Sequence, residues 1–249
     1  MLSIMSKILV LIPSRLSATR LKRKPLLKID NLSLINHVYR NAVKAKIGDV
    51  YVVTGDKEIY LDVKRNGGKC VLTKQKHRSG TDRIFEGLKN LKKKKIKYVL
   101  NLQGDEPLIN ISDIRCLSSQ IIKKKQNIGT LACKIENKSD FKNRNMVKVI
   151  SEKKLINNSI TRALKFYRIN NKKIKNTYHH IGCYIYRVSM LKKIVSLKQT
   201  NNEKKLRLEQ YRWMDNQIPI SLVLAKKKPI GVDTLKDFKL VKKIMENKF

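Results

Sequence analysis

With 249 residues and a hydrophobic fraction of 41%, the chain is long enough for one large domain, or a domain with a smaller lobe, built on a sizeable core. Its 57 Lys plus Arg against 19 Asp plus Glu give a formal charge of +38, which taken alone points to a polyanion binder. The distribution argues otherwise: cations gather in surface-type runs at 92–95, 123–125 and 226–228, with no zinc finger, helix-turn-helix or aromatic RNA-binding motif, so a dedicated nucleic-acid reader is set aside.

The apolar start, 1–11, is followed at once by Pro13 and Arg15 without a small-residue cleavage site, so a buried first strand over 7–12 explains it better than a signal peptide. No apolar run approaches the roughly 20 residues needed to span a bilayer. A helix is expected from Ser33, a candidate N-cap, with Ile35, Val38, Tyr39 and Ala42 on one face. A strand follows at 49–54, a short helix at 57–66 closed by Gly67 and Gly68, a strand at 69–72 and a helix at 81–91. Strand 98–102 ends in the polar run 103–107, which cannot extend a core strand and so marks a functional edge.

Past Asp113 the pattern gives a helix to about 125, extended segments at 129–135 and 147–150, and a strand at 180–186. A helix at 203–213, a strand at 220–224 and a closing helix at 235–245 complete it. Strands alternating with helices imply an α/β fold with a mixed sheet, read as a single domain with an inserted lobe at about 130–215. The cysteines, Cys70, Cys116, Cys133 and Cys183, form no Cys-x-x-Cys pair, as expected of reduced thiols in a cytosol.

Between Pro13 and Pro25 lie Arg15, Arg20, Lys22, Arg23 and Lys24, in a loop at the C-terminal edge of the first strand, where open α/β sheets bind ligands. Arginine forks and a lysine point charge suit triphosphate oxygens, and backbone amides around Ser17 to Thr19 could add donors. Neither Gly-x-x-x-x-Gly-Lys-Ser/Thr nor Gly-x-Gly-x-x-Gly occurs, which removes support for ATPase and dehydrogenase readings. His77 to Arg83 opens a helix and suits either a base or phosphate, or simply a cap made by Ser79 or Thr81. Gln103-Gly104-Asp105 offers an amide, a close backbone approach and a carboxylate for a hard cation. One carboxylate makes a poor metal site, so the metal reading requires the fold to bring in Asp233, which could equally be the closing helix's N-cap.

These segments, with Asn145 to Val149, His180-Ile181-Gly182, Leu208-Glu209-Gln210 and Gly231-Val232-Asp233-Thr234 in the same order, resemble the 3-deoxy-manno-octulosonate cytidylyltransferase (CMP-KDO synthetase) family over nearly the whole chain. The resemblance implies a nucleotide-diphospho-sugar transferase fold, Rossmann-like with helices flanking a mixed sheet, and a cytoplasmic homodimer. It implies transfer of CMP from CTP to the acidic sugar 3-deoxy-manno-octulosonate (KDO) for lipopolysaccharide synthesis, with Mg2+ as cofactor. By position Arg15, Arg20 and Lys24 hold phosphates, Ser79, Gly80, Arg83 and Gln103 surround the nucleotide, and Asp105 and Asp233 bind magnesium. Arg162, His180, Tyr184, Glu209 and Gln210 shape the sugar pocket, which Gln103 also reaches, and Arg15, Lys24, Asp105 and Asp233 carry catalysis.

The chain departs from the family at Leu21-Lys22-Arg23-Lys24-Pro25, where Leu-Pro-Gly-Lys-Pro is usual, and at Lys76, Leu206 and Ala163 to Phe166. The expected chemistry is in-line attack of the sugar's anomeric hydroxyl on the α-phosphorus of CTP, with pyrophosphate leaving. Two rivals are a cytidylyltransferase for another acidic sugar, such as sialic acid or an amino-KDO, and a non-catalytic polyanion binder of the same fold.

Overall fold

The computed structural model describes residues 7–17, 20–169 and 174–247; Ala18 and Thr19, and with them some of the backbone donors expected in the basic loop, lie outside these. The chain falls into two compact units, Met1–Ile111 with Pro229–Phe249, and Ser112–Lys228.

The first unit begins with β1 (Ile8–Ser14), whose residues from Ile8 to Ile12 are at most 4% exposed, the continuous burial of a strand covered on both faces. A short hairpin, β2 (Lys28–Ile29) and β3 (Leu32–Ser33), turns through Asp30 and Asn31, both at positive φ, as a two-residue primed turn requires. It leads into α1 (Leu34–Lys44), then β4 (Asp49–Thr54), α2 (Lys57–Arg65), β5 (Cys70–Leu72), α3 (Gly80–Asn90) and β6 (Tyr98–Asn101). Ser33 stands at the N-cap of α1 without capping it: its hydroxyl donates to Asp62 Oδ2 at 2.6 Å instead.

Strands β5, β4, β1 and β6 lie side by side in that order and run parallel. The chain steps outward from β1 to β4 and β5, then crosses to the other side of β1 for β6. The strand order therefore reverses between β1 and β6, and the crevice beyond their C-terminal ends is where doubly wound sheets bind ligands.

The second unit begins at the second residue of α4 (Ile111–Lys123) and contains β7 (Ile128–Cys133), β8 (Lys148–Ser151), β9 (Ile160–Tyr167), β10 (Thr177–Arg187), α5 (Val188–Ser196), α6 (Asn201–Leu206), α7 (Gln210–Met214) and β11 (Ser221–Leu224). Its strands follow the order β10-β7-β11-β9-β8; only β7 and β11 run parallel, and the first residues of β10 also pair with β8, bending the five strands back on themselves. Strand β9 and helix α5 were not anticipated. The single helix expected at 203–213 is two short ones, broken at Arg207, whose φ of 52° lies in the left-handed region and ends α6.

Lys148 on β8 breaks the pattern of surface lysines. It is fully buried, and its ammonium donates to the carbonyls of Asn143, Met146 and Arg168 at 2.5, 3.0 and 2.7 Å, closing the loop before its strand.

The chain returns to the first unit for its last helix, α8 (Leu235–Glu246). Ile29, Leu34, Val232 and Val241 form a buried cluster there, with Leu21, Leu108 and Phe238 packed against it. Each fully buried aliphatic side chain contributes about 1.5–3 kcal/mol relative to exposure. Leu21 thereby ties the basic loop to the closing helix.

Candidate active site

In the first unit, β1 delivers Ser14 and then the exposed Arg15 to the crevice. The amide of Leu16 donates to Asp56 Oδ2 at 3.0 Å, pinning the loop's first turn beside α2. The loop ends in a 3-10 turn, Lys24–Leu26, preceded by Arg23 at φ 54°. A left-handed backbone favours glycine, the residue that the sequence resemblance leads one to expect at this position. Arg23 takes this conformation with its guanidinium held on both carboxylate oxygens of Glu58 in α2.

Across the crevice, Gly104 follows β6 so closely that a Cβ there would meet the Pro13 carbonyl at 2.9 Å and Ile35 Cδ1 at 3.2 Å. Glycine is required for close approach, as expected. The next residue, Asp105, accepts the Val232 amide at its carbonyl, 2.8 Å away, which brings Asp233 alongside. Lys24 Nζ then lies 2.7 Å from Asp105 Oδ2, 3.4 Å from Asp233 Oδ1 and 2.7 Å from the Val232 carbonyl. Arg20 Nη2 stands 3.4 Å from Asp233 Oδ2.

The fold thus joins Asp105 to Asp233. The competing role for Asp233 falls to its neighbour: Thr234 is the N-cap of α8, in a capping box with Asp237. Glu106, beside the pair, has a buried Oε2 with no hydrogen-bond partner; burial, then the Asp105 and Asp233 charges, push its pKa up to about 8.

Ser79 caps α3, accepting from the Asp82 amide at 3.2 Å, and Gly80 begins the helix. Arg83 is 4% exposed and donates to Thr73 Oγ1 and to the carbonyls of Lys74 and Gln75 at 2.8, 3.1 and 2.8 Å. Its guanidinium is committed to shaping segment 73–75. Burial lowers its pKa, the Arg15 charge adding to the effect and Asp56 opposing it. Gln103 is half-buried on the crevice side of β6.

The second unit gathers a different cluster. Along a regular strand, His180 and Tyr184 would stand about 13 Å apart. In β10 the pairing with β7 slips between Ile181 and Tyr184, and the two rings come to 5.3 Å. Thr130 on β7 fixes the bulge. Its hydroxyl donates to the Cys183 carbonyl at 2.8 Å, which leaves an oxygen lone pair to accept from His180 Nε2 at 3.1 Å. Burial, assisted by the His179 charge, lowers the His180 pKa to about 3, so the ring is neutral. Phe166 meets His180 edge-on at 5.1 Å, and Trp213 meets Tyr184 edge-on at 5.1 Å.

Gln210 opens α7, and its Nε2 is buried without a hydrogen-bond partner; Glu209 is the preceding, half-buried N-cap residue. The helix is held by Arg212, whose Nε donates to Glu203 Oε2 at 2.8 Å, with both side chains at most 4% exposed. Arg162 lies exposed on β9, paired in register with Ser221. The structure therefore brings His180 and Tyr184 together and leaves Arg162 at the surface. Sequence reasoning missed Thr130, Glu58 and the Glu203–Arg212 pair. Thr130 alone carried a mark, as the one hydroxyl in the buried strand Ile128–Cys133.

The first unit's crevice thus offers cations for a polyphosphate and converging oxygens for a hard cation at the switch point of a parallel sheet, the arrangement of an α/β nucleotidyltransferase. A family model described as cytidylyltransferase matches residues 9–227. A 3-deoxy-manno-octulosonate cytidylyltransferase from Rhodopseudomonas palustris is 39% identical over 242 residues, 96% of this chain and 98% of the relative. One from Afipia carboxidovorans is 38% identical over 239 residues, 95% and 96% of the two chains. The chain belongs to the 3-deoxy-manno-octulosonate cytidylyltransferase family, a family of nucleotidyltransferases.

A solved structure of CMP:2-keto-3-deoxy-manno-octonic acid synthetase complexed with CTP matches with a TM-score of 0.87 at 30% identity, covering 98% of this chain and 100% of the other. A UDP-glucose pyrophosphorylase complexed with UDP-glucose matches at 0.71 with 15% identity, covering 97% and 99%, and shows the shared fold alone.

Proposed function

We propose that the protein transfers CMP from CTP to KDO, releasing pyrophosphate. The observation that carries this reading is the junction of Asp105 and Asp233 at the switch point, in contact with Lys24 and Arg20. It is supported by the relatives, which bear the name of this activity over nearly their full length.

The oxygens that converge on Lys24, from Asp105, Asp233 and the Val232 carbonyl, are hard donors around a single cation position, which fits Mg2+. When bound, the ion supplies Lewis-acid stabilisation of the phosphate and eases ionisation of the sugar hydroxyl. Arg15, Arg20 and Lys24 grip the triphosphate and offset the charge that develops on departing pyrophosphate. Gly104 lets the backbone between Gln103 and Asp105 pack against the Pro13 carbonyl at the end of β1. Ser79 and Arg83 act chiefly by building the turn before α3, whose N-terminal amides, from Gly80 on, face the nucleotide.

On the sugar side, the neutral His180, Tyr184, Gln210 and Glu209 offer hydrogen bonds to hydroxyls. The buried, unpartnered Gln210 amide supports this role, since such a donor is costly unless a ligand meets it. Arg162 supplies a positive charge for the sugar carboxylate. The lobe bearing these residues, placed at about 130–215 from the sequence, serves sugar binding and dimer formation. The exposed apolar residues Ile156, Leu164 and Ile169 support association of two copies, which sedimentation equilibrium tests.

Four free cysteines agree with a reducing cytoplasm, and among the described residues no helix is long and apolar enough to cross a membrane. Pyrophosphate release from CTP, measured with KDO, sialic acid and an amino-substituted KDO, tests the assignment. The highest kcat/KM is expected with KDO, and a preference for another sugar overturns the substrate while keeping the reaction class.

A further inference from the structure

Two cations of the basic loop, Lys24 and Arg20, rest on the proposed metal carboxylates. Lys24, with a side chain 14% exposed, touches Asp105, Asp233 and the Val232 carbonyl, and Arg20 reaches the second oxygen of Asp233. Two positive and two negative side chains make a neutral set. A divalent cation coming alone would meet an ammonium already seated among its oxygens and would leave the cluster with excess positive charge. A nucleoside triphosphate changes that balance, because its oxygens suit both the lysine point charge and the arginine fork.

We infer that Lys24 and Arg20 stand in for the divalent cation, keeping the carboxylate pair closed until a triphosphate draws both side chains away, so that metal and nucleotide enter together. The inference rests on the proposed metal role of Asp105 and Asp233, and it gives the loop a task in binding order besides its grip on phosphate. Lys24 performs the exchange by turning its flexible stem. Arg20, whose side chain is 56% exposed, has open solvent to swing into.

The test is Mn2+ binding to the full-length protein without nucleotide, followed by loss of the free-ion electron paramagnetic resonance signal. Wild type is expected to bind weakly, and Lys24→Met to bind about tenfold more tightly or better. Adding Asp105→Asn to Lys24→Met should remove the gain. Lys22→Met deletes an equal charge from an exposed position of the same loop, one that makes no ion pair with Asp105 or Asp233 among the described residues, and should leave affinity at the wild-type level. Equal Mn2+ affinity for wild type and Lys24→Met, or equal tightening by Lys22→Met, overturns the inference. Neither result touches the proposed reaction, which fails separately if pyrophosphate release does not depend on KDO.

Discussion

The amide of Val232 donates to the carbonyl of Asp105 at 2.8 Å, and this one bond sets the loop before the closing helix against the end of β6. Two segments remote in sequence each carry a carboxylate, and the bond makes them one site. Catalysis should be equally sensitive to both. Replacing either Asp105 or Asp233 with Asn is expected to lower kcat about 1,000-fold, the loss of several kcal/mol of transition-state stabilisation. Steady-state pyrophosphate release checks this, with circular dichroism confirming the fold; near-normal turnover in either variant removes that residue from the site.

Arg23 holds a glycine-like backbone, and its ion pair with Glu58 is its visible restraint. Glu58→Ala should loosen the loop and raise KM for CTP, by less than about tenfold because the pair is exposed. Arg23→Gly should restore CTP affinity in the Glu58→Ala background by relieving the left-handed strain. A double variant no better than Glu58→Ala refutes the account of this turn.

The buried pair of Glu203 and Arg212 holds α7, which carries Gln210. Glu203→Gln leaves a buried guanidinium without its counter-charge, a loss expected to cost about 3–5 kcal/mol of stability. Chemical denaturation measures it. A change below 1 kcal/mol, on the order of an exposed pair, would show that the pair is not buried in solution.

His180 gives a pH prediction. Its pKa falls from about 6.5 in the unfolded chain to about 3 on folding. The folded state therefore binds fewer protons, so this contribution to stability is complete above about pH 6.5 and is lost as pH falls toward 3. The His180 ring resonances should stay at their neutral positions from pH 8 to 5, whereas an exposed imidazole titrates within that range. His180→Gln should flatten the decline in stability below pH 6.5 without abolishing it, because His179 is lowered to about 4 by the same cause. A midpoint near 6.5 for His180 contradicts its burial.

Much of the first unit was legible because its strands are unbroken apolar runs ending in polar residues at one edge. That edge revealed Arg15 and Asp105, and Gly104 declared a close approach. The sequence left Asp233 divided between metal and cap, since both roles suit an aspartate before a helix. Only the side-chain bonds of Thr234 and Asp237 separate them. The sequence left Ser79 open between ligand and cap, and its hydroxyl caps α3 while Arg83 donates to segment 73–75. In the second unit, the approach of His180 to Tyr184 depends on a register slip that no periodicity records. Lys148 was hidden among surface lysines because its burial depends on carbonyls of its own preceding loop converging with that of Arg168 from the neighbouring strand's end.

Transfer of CMP to KDO is read from the products of CTP and KDO incubated with the protein and Mg2+, by phosphorus NMR and mass spectrometry. CMP-KDO and pyrophosphate are expected in equal amounts, both absent when EDTA is added or Asp105→Asn is used. CTP consumed without a sugar adduct, or no turnover with any acidic sugar while RNA is bound, would contradict this transfer.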